Sequence, residues 1–198
     1  MTDRWLIVFP NWVGDAVMAH AFVRALQAAN PTVMLDALVP QYLVDLMRAM
    51  PEIQHVIPHT LKHGNINFSY QKQLADQCAL RGYQRAYVLP NSWKSALVPF
   101  LARIPERHGW LGECRFGLLN RKHYHPKRIE RMVDRFLALA EAAPGSWLPK
   151  LTVPAADVSK PDDGLDASRP LLVLCPGAAF GPAKSWKAEY FSQVADHY

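Results

Sequence analysis

Cysteine is scarce in this chain: Cys78, Cys114 and Cys175 are the only three in 198 residues, widely spaced and odd in number. No spacing among them suits a disulfide framework, a zinc site or a redox pair, so they read as reduced thiols in a reducing compartment. Long apolar runs are missing too. The N-terminal stretch Trp5–Phe9 is far too short for a signal peptide or a membrane span, which points to a soluble cytoplasmic protein with room for peripheral membrane contact. Two nucleotide-binding fingerprints are absent: no G-x-G-x-x-G follows the first apolar run, and the only near-match to a Walker motif fails at Gly181-Pro-Ala-Lys184. No repeat, low-complexity tract or clustered His/Asp ligand set appears, so no metal and no bound cofactor is expected.

What is present is a βαβ rhythm. Half of the residues are hydrophobic, enough for a real core. Apolar runs at Trp5–Phe9, Val33–Val39, His55–Ile57, Ala86–Leu89 and Arg107–Trp110 read as strands. Between them, Asp15–Ala29, Tyr42–Ala49, Ser69–Arg81 and Ser92–Ala102 carry helical spacing, the last despite Pro99, and Ile129–Ala143 adds a further helix. Pro58–Phe68 reads as a loop and Arg121–Pro126 as irregular. The expected fold is α/β: a Rossmann-like parallel sheet with helices on both faces. Residues 1–150 form that first domain, and the proline-rich residues 151–169 form a linker. Residues 170–198, with a buried strand at Leu171–Leu174 and a helix from Lys187, begin a second Rossmann-like domain. A single βα unit cannot bury its own apolar face, so this second domain is expected to be begun here and not completed.

Three places carry candidate chemistry. Ligands of parallel sheets sit on loops that leave strand carboxyl ends, and Asn11-Trp-Val-Gly-Asp15 occupies such a loop. Gly14 permits close backbone approach or a positive φ. Asp15 at a helix start is either a cap or a general base in reach of a hydroxyl. Asn91, Ser92 and Lys94 follow a later strand on the same side. They either line the same cleft, with Lys94 answering a phosphate, or serve as a capped helix start. The loop Cys175–Lys184 leads from a strand into a helix. There Gly177, Ala178 and Gly181 bring backbone N–H groups toward anionic oxygens, and Lys184 is either a diphosphate contact or an ordinary surface lysine.

The net charge of +5 is uneven. Between Arg103 and Arg135 stand nine basic residues against four acids, which suits an anionic partner or simply makes a solvated basic face. Within it Arg107, Arg115, Arg121 and Lys122 are the candidates for meeting acidic groups. Trp12, Trp93 and Trp110 either flank sugars or belong to the core and cleft wall.

Several of these blocks together carry a resemblance. Pro10-Asn-Trp-Val-Gly-Asp-Ala-Val-Met18 comes first. Tyr87-Val-Leu-Pro-Asn-Ser-Trp-Lys-Ser-Ala-Leu-Val-Pro99 follows, continued by Ile104-Pro105, His108-Gly-Trp110 and Arg115-Phe-Gly-Leu-Leu-Asn120. Cys175-Pro-Gly-Ala-Ala-Phe-Gly-Pro-Ala-Lys184 with Trp186 is the third. In order and over nearly the whole chain, they resemble the ADP-heptose:lipopolysaccharide heptosyltransferases, GT-B enzymes with two Rossmann-like domains facing a cleft. His63-Gly64 also matches that family.

The resemblance implies inverting transfer of heptose from ADP-heptose to the first heptose of the lipopolysaccharide inner core, with no metal. It makes Asp15 the general base and Lys184 the donor-binding lysine. It also places Gly177, Ala178 and Gly181 at the donor, and Asn11, Trp12, Asn91, Ser92, Lys94 and Arg115 at the acceptor. Peripheral contact with the inner membrane follows from such an acceptor. Ala179 and Ser185 depart from the family pattern, which commonly has an acid and an arginine there. The chain alone is expected to fold its first domain and to transfer little. Two other readings stand beside this one. One is a different GT-B sugar-nucleotide enzyme, such as another heptosyltransferase or an epimerase. The other is a non-catalytic anion- or nucleic-acid-binding domain built on the basic stretch; the chain has no known nucleic-acid motif.

Overall fold

A computed structural model describes residues 3–61, 66–124, 129–152, 172–177 and 182–197. The chain divides into two compact units, Met1–Ala155 and Ala156–Tyr198. In the first unit, the described strands are β1 (Arg4–Val8), β2 (Met34–Pro40), β3 (Ile53–His59), β4 (Arg85–Val88), β5 (Glu106–Trp110) and β6 (Arg121–His123). Its helices are α1 (Val13–Ala29), α2 (Val44–Arg48), α3 (Phe68–Ala79), α4 (Leu97–Leu101) and α5 (Met132–Leu139). The six strands make one parallel sheet in the order β3-β2-β1-β4-β5-β6. Chain progression reverses between β1 and β4, which opens a crevice at their carboxyl ends.

Both faces of the sheet are covered, as the near-continuous apolar strands require. One face sets Ile7, Phe9, Leu35, Val39 and Tyr87 against Phe22, Val23 and Leu26 of α1 and Phe136 of α5. The other sets Leu6, Val8, Leu38, Ile57 and Val88 against Leu74 and Cys78 of α3 and Val98 of α4. Each fully buried aliphatic side chain contributes about 1.5–3 kcal/mol. Gly109 is fixed by packing. A Cβ there would stand 3.0 Å from the Val88 carbonyl and 3.1 Å from Leu119, so β4 and β5 meet closely only over a glycine.

A buried carboxyl group sits inside this apolar frame. Asp36 on β2 accepts from the Tyr83 hydroxyl at 2.7 Å and has Arg81 and Arg4 at 3.6 and 3.8 Å. Burial, then the Asp36 bond, pushes the Tyr83 phenol upward. At the end of the unit, residues 147–152 are bound back to the body. Arg24 donates to the Leu148 carbonyl at 2.6 Å and lies over the Trp147 ring, while Thr152 N–H donates to the Ala49 carbonyl. His20, wholly buried, bridges Glu52 at 2.8 Å and the Lys150 N–H at 3.3 Å.

The sequence reading needs four corrections here. Arg121–His123 is a strand, not irregular chain. It pairs with β5 from His108↔Arg121 to Trp110↔His123, and as an edge strand it has no second neighbour demanding apolar residues. β3 runs to His59 through Pro58, since an edge strand tolerates a missing N–H. Ser92–Ala102 is a 3-10 turn, Trp93–Ala96, followed by α4, whose first turn accommodates Pro99 because its N–H groups lack intrahelical partners anyway. α5 is shorter than Ile129–Ala143: Arg131 is its N-cap position, and a left-handed Glu141 (φ 57°) follows its C-cap Ala140.

In the second unit, the described residues hold a 3-10 turn at Pro182–Lys184 and the helix α6 (Ala188–His197). Trp186 packs against Tyr190 and Phe191. Leu172–Leu174 is exposed and belongs to no strand among the described residues, where the sequence suggested a buried one; Leu171 lies outside the described residues. A ladder needs a neighbour to satisfy its N–H and C=O groups. No described helix is long and apolar enough to cross a membrane.

Candidate functional site

The carboxyl ends of β1 and β4 feed two loops, Phe9–Trp12 and Leu89–Ser92, and a cavity of about 260 Å³ opens between them. Its apolar floor comes from Val8, Leu38 and Val98. Asn11, Ser92 and Lys94 line its rim, with Glu113, and His59 and Gln71 close another wall. This is the place where the fold class puts ligands, and three of the residues singled out in the sequence meet there.

The first loop is held from outside. The Tyr42 hydroxyl donates to the Asn11 carbonyl at 2.5 Å. Trp12, about half exposed, takes the N-cap position of α1 without a side-chain capping bond, and its carbonyl receives the first helical bond from Ala16. Asp15 therefore lies in the first turn, half-buried, and its carboxylate has no hydrogen bond or ion pair among the described residues. The capping role open to it in the sequence is not the one it takes. A negative charge there is favoured by the helix N-terminus. Gly14 is helical, with no positive φ, and a Cβ on it would meet nothing within 4 Å. The positive φ open to it in the sequence is not taken, while the space beside it leaves close backbone approach available.

The second loop is held from beneath by Arg115. Its guanidinium is completely buried and donates to the Pro90 carbonyl at 2.7 Å, to the Ser92 carbonyl at 3.4 Å and to the Trp110 carbonyl. Burial draws its pKa down to about 10, with the Glu113 charge opposing. Arg115 was expected to face an acceptor; it is instead the post on which the Pro90–Ser92 loop rests, because both terminal nitrogens donate to carbonyls while its Nε is buried without a partner among the described residues. The turn that aims it is strained. Glu113 and Cys114 are both left-handed, at φ 44° and 54°, each worth on the order of 1–3 kcal/mol. That turn also lets Glu113 accept from the Trp93 N–H at 3.1 Å.

Ser92 occupies the N-cap position of the 3-10 turn, yet its side chain makes no capping bond; Ser95 donates to its carbonyl instead, at 2.5 Å. Lys94 is half-buried on the cavity and has no ion pair among the described residues. Asn91 is exposed, outside the cavity lining. Trp110 is core, its indole donating to the Arg135 carbonyl, and Trp93 is half-buried.

The basic stretch is not a free cationic face. Arg107 donates to the Leu118 and Ile104 carbonyls at 2.7 and 2.6 Å. Arg121 pairs with Glu106 at 2.8 Å, beside Arg85 at 2.7 Å. Arg131 pairs with Asp134, Arg135 donates to the Ile129 carbonyl, and Lys122 lies over the Phe116 ring. The Arg121 hydrogen bond, then His108 and Arg85, hold Glu106 down at about 2 against the burial that opposes them. Lys127 and Arg128 lie outside the described residues.

In the second unit, Gly177 is exposed with nothing within 4 Å of a would-be Cβ, and Lys184 is exposed on its 3-10 turn with no partner among the described residues. Ala178 and Gly181, like His63, Gly64 and Ala179, lie outside the described residues. No group of three or more His, Cys, Asp or Glu suited to a metal occurs among the described residues. Two wall residues of the cavity, His59 and Gln71, were missed in the sequence. His59 fell in what read as a loop, and Gln71 carried no signal beyond a polar residue on a helix.

Comparison with known proteins gives the chain a family and its fold a match. The profile of "Glycosyltransferase family 9 (heptosyltransferase)" matches residues 72–198. The lipopolysaccharide heptosyltransferase 2 of Escherichia coli K12 is 39% identical over 204 residues, covering 96% of this chain and 58% of the relative. That of Salmonella typhimurium is 40% identical with the same coverage. The chain thus spans 58% of the length of these curated relatives. The solved structure of E. coli ADP-heptose lps heptosyltransferase II superposes with a TM-score of 0.84 at 37% identity, over 98% of this chain and 62% of that one. A family 9 glycosyl transferase from Veillonella parvula shares the fold at 18% identity, TM-score 0.85, over 99% of this chain and 60% of that one.

Proposed function

The chain belongs to glycosyltransferase family 9, and on that premise we propose that it is part of an enzyme moving heptose from ADP-heptose to the first heptose of the lipopolysaccharide inner core. The observation that carries this reading is the crevice between β1 and β4. Lys94 lines it without an ion pair among the described residues, and the loop after β1 leads into the first turn of α1, where the Asp15 carboxylate likewise has no partner among them. A hydroxyl acceptor needs a base, and an acceptor that bears phosphate needs a cation.

In this mechanism Asp15 takes the proton from the acceptor hydroxyl as its oxygen attacks the anomeric carbon. The bond from that carbon to the diphosphate oxygen breaks on the opposite face, ADP leaves with the electron pair, and the anomeric configuration inverts. Asn11, Trp12, Asn91, Ser92 and Lys94 hold the acceptor, while Arg115 acts through the Pro90–Ser92 loop that it supports. The second unit serves the donor: Lys184 with the backbone at Gly177, Ala178 and Gly181 meets the charge developing on the diphosphate. No metal or cofactor is called on. The work is done in the cytoplasm, at the inner membrane face where a lipid-linked acceptor would lie.

The test is mass spectrometry of a core acceptor bearing one heptose. It is incubated with ADP-heptose and a protein carrying these 198 residues together with the remaining length of the relatives. A gain of one heptose, with the new linkage inverted relative to the donor by NMR, supports the reading. A folded, ADP-heptose-binding protein that adds nothing to this acceptor but adds heptose to another moves the acceptor assignment. Absence of any transfer or donor hydrolysis overturns it.

A further inference from the structure

We propose that Glu113 is a positioning residue for the acceptor: with Arg115 it clamps the loop after β4 and so fixes Lys94, an inference that rests on the acceptor reading above. The loop and the turn after it present backbone groups of both polarities. On the carbonyl side, Arg115 donates to Pro90 at 2.7 Å and to Ser92 at 3.4 Å. On the N–H side, the Glu113 carboxylate accepts from Trp93 at 3.1 Å. That N–H opens the 3-10 turn Trp93–Ala96, where the first donors have no partner within the turn, and the side chain of Ser92 in the N-cap position does not take it up. A carboxylate 20 residues further along the chain does the capping instead. Both grips belong to one tight turn. Glu113 and Cys114 are left-handed, Arg115 follows them into the interior, and its N–H closes the turn on the Gly112 carbonyl at 3.2 Å. The Glu113 charge is felt at the buried guanidinium, whose pKa it raises against burial.

Lys94 directly follows the capped N–H. It lines the cavity together with Glu113, yet the two make no ion pair, so the hold of Glu113 on Lys94 runs through the backbone. Ser95 completes the fixture, its hydroxyl donating to the Pro90 and Ser92 carbonyls at 3.3 and 2.5 Å. With Ser92, Trp93 and Ser95 all tied, Lys94 is rooted in a fixed turn. A long side chain that starts from a fixed root has less freedom to lose when its ammonium meets a phosphate. Charge alone predicts the opposite role for Glu113. An anion on the same rim as Lys94 repels a phosphate, so deleting it would tighten an anionic acceptor. A clamp predicts that deleting it loosens the acceptor. Glu113 is exposed, and a freed Trp93 N–H can turn to water, so the loss belongs to local order and not to the melting curve.

Two readouts test this. In the 198-residue chain, hydrogen exchange of the Trp93 amide is followed by NMR. Glu113→Ala should speed it about 10-fold, and Glu113→Gln, whose side-chain carbonyl still accepts, should restore it. In the transferring protein, a phosphorylated core acceptor is titrated. Glu113→Ala should weaken it about 3–10-fold with ADP-heptose affinity and the melting midpoint in place, while Glu113→Gln keeps the unmodified affinity. On a Lys94→Ala background, Glu113→Ala should change nothing further, because the residue it positions is gone. Acceptor binding that tightens or stays unchanged in Glu113→Ala overturns the clamp. Glu113→Gln weakening as much as Glu113→Ala, or losses that add in the double variant, overturn it in favour of a carboxylate that touches the acceptor. A Trp93 amide indifferent to Glu113→Ala overturns the clamp whatever the acceptor does. If the Trp93 amide responds as stated but the unmodified protein neither binds the core acceptor nor transfers to it, the acceptor reading falls and takes the positioning role with it.

Discussion

Two charged regions of the first unit behave in opposite ways. The stretch from Arg103 to Arg135 holds the chain's whole excess of positive charge, yet its described arginines except Arg103 are committed to carbonyls or carboxylates. The two crevice loops carry no charged residue, yet Asp15 and Lys94, in the helical turns that follow them, have no partners among the described residues. Charge counted along a chain measures supply; what remains for a substrate is the supply left after folding. Within the basic stretch Arg115 is scaffold for the loop after β4 and the other paired arginines tie down their own surroundings, whereas Asp15 and Lys94 remain uncommitted among the described residues.

That contrast can be broken at four points. Asp15→Asn should cut kcat on the order of 10²–10⁴-fold with donor affinity unchanged, because the proposed base is lost and the shape is not. Arg115→Met should lower stability by about 2–4 kcal/mol, seen as a fall in thermal midpoint, since the Trp110 carbonyl loses its guanidinium donor in the interior and the Pro90 and Ser92 carbonyls keep only Ser95. Lys should not rescue it, as an ammonium cannot span the same three acceptors. Lys94→Ala should leave the melting curve in place and weaken a phosphorylated acceptor about 10-fold by titration, a loss of about 1.4 kcal/mol. The smallest effect belongs to Arg121→Ala, below about 1 kcal/mol for so exposed a pair.

The Arg121 case carries a pH signature. Glu106 has a folded pKa of about 2 against an ordinary 4.5, so its contribution is complete above about 4.5 and lost as pH falls through 2. Arg121→Ala should flatten that acid limb of the stability profile and leave the neutral region nearly unchanged. Urea midpoints measured from pH 7 down to pH 2 decide it.

Much of the fold was legible from periodicity alone: every apolar strand of the sheet, and the helices covering it. What escaped were features set by neighbours. β6 shows no alternation because its register with β5, not its own composition, makes it a strand. Leu172–Leu174 shows the reverse, an apolar run with no ladder partner among the described residues. The place of Asp15 and Lys94 was readable, since loops after parallel strands share one edge. Their freedom from partners was not, nor was the burial of Arg115, which depends on two consecutive left-handed residues no local pattern announces. His59 and Gln71 were invisible because one terminates an edge strand through a proline and the other is an ordinary helix glutamine until the fold sets it in the cavity wall.

The most direct test sets one residue of each region side by side: single-turnover heptose transfer by Asp15→Asn and Arg121→Ala, both saturated with ADP-heptose. Asp15→Asn losing at least 10²-fold while Arg121→Ala keeps the unmodified rate is the predicted result. Transfer that survives Asp15→Asn, or falls equally in both variants, would contradict the division between spent and uncommitted charge.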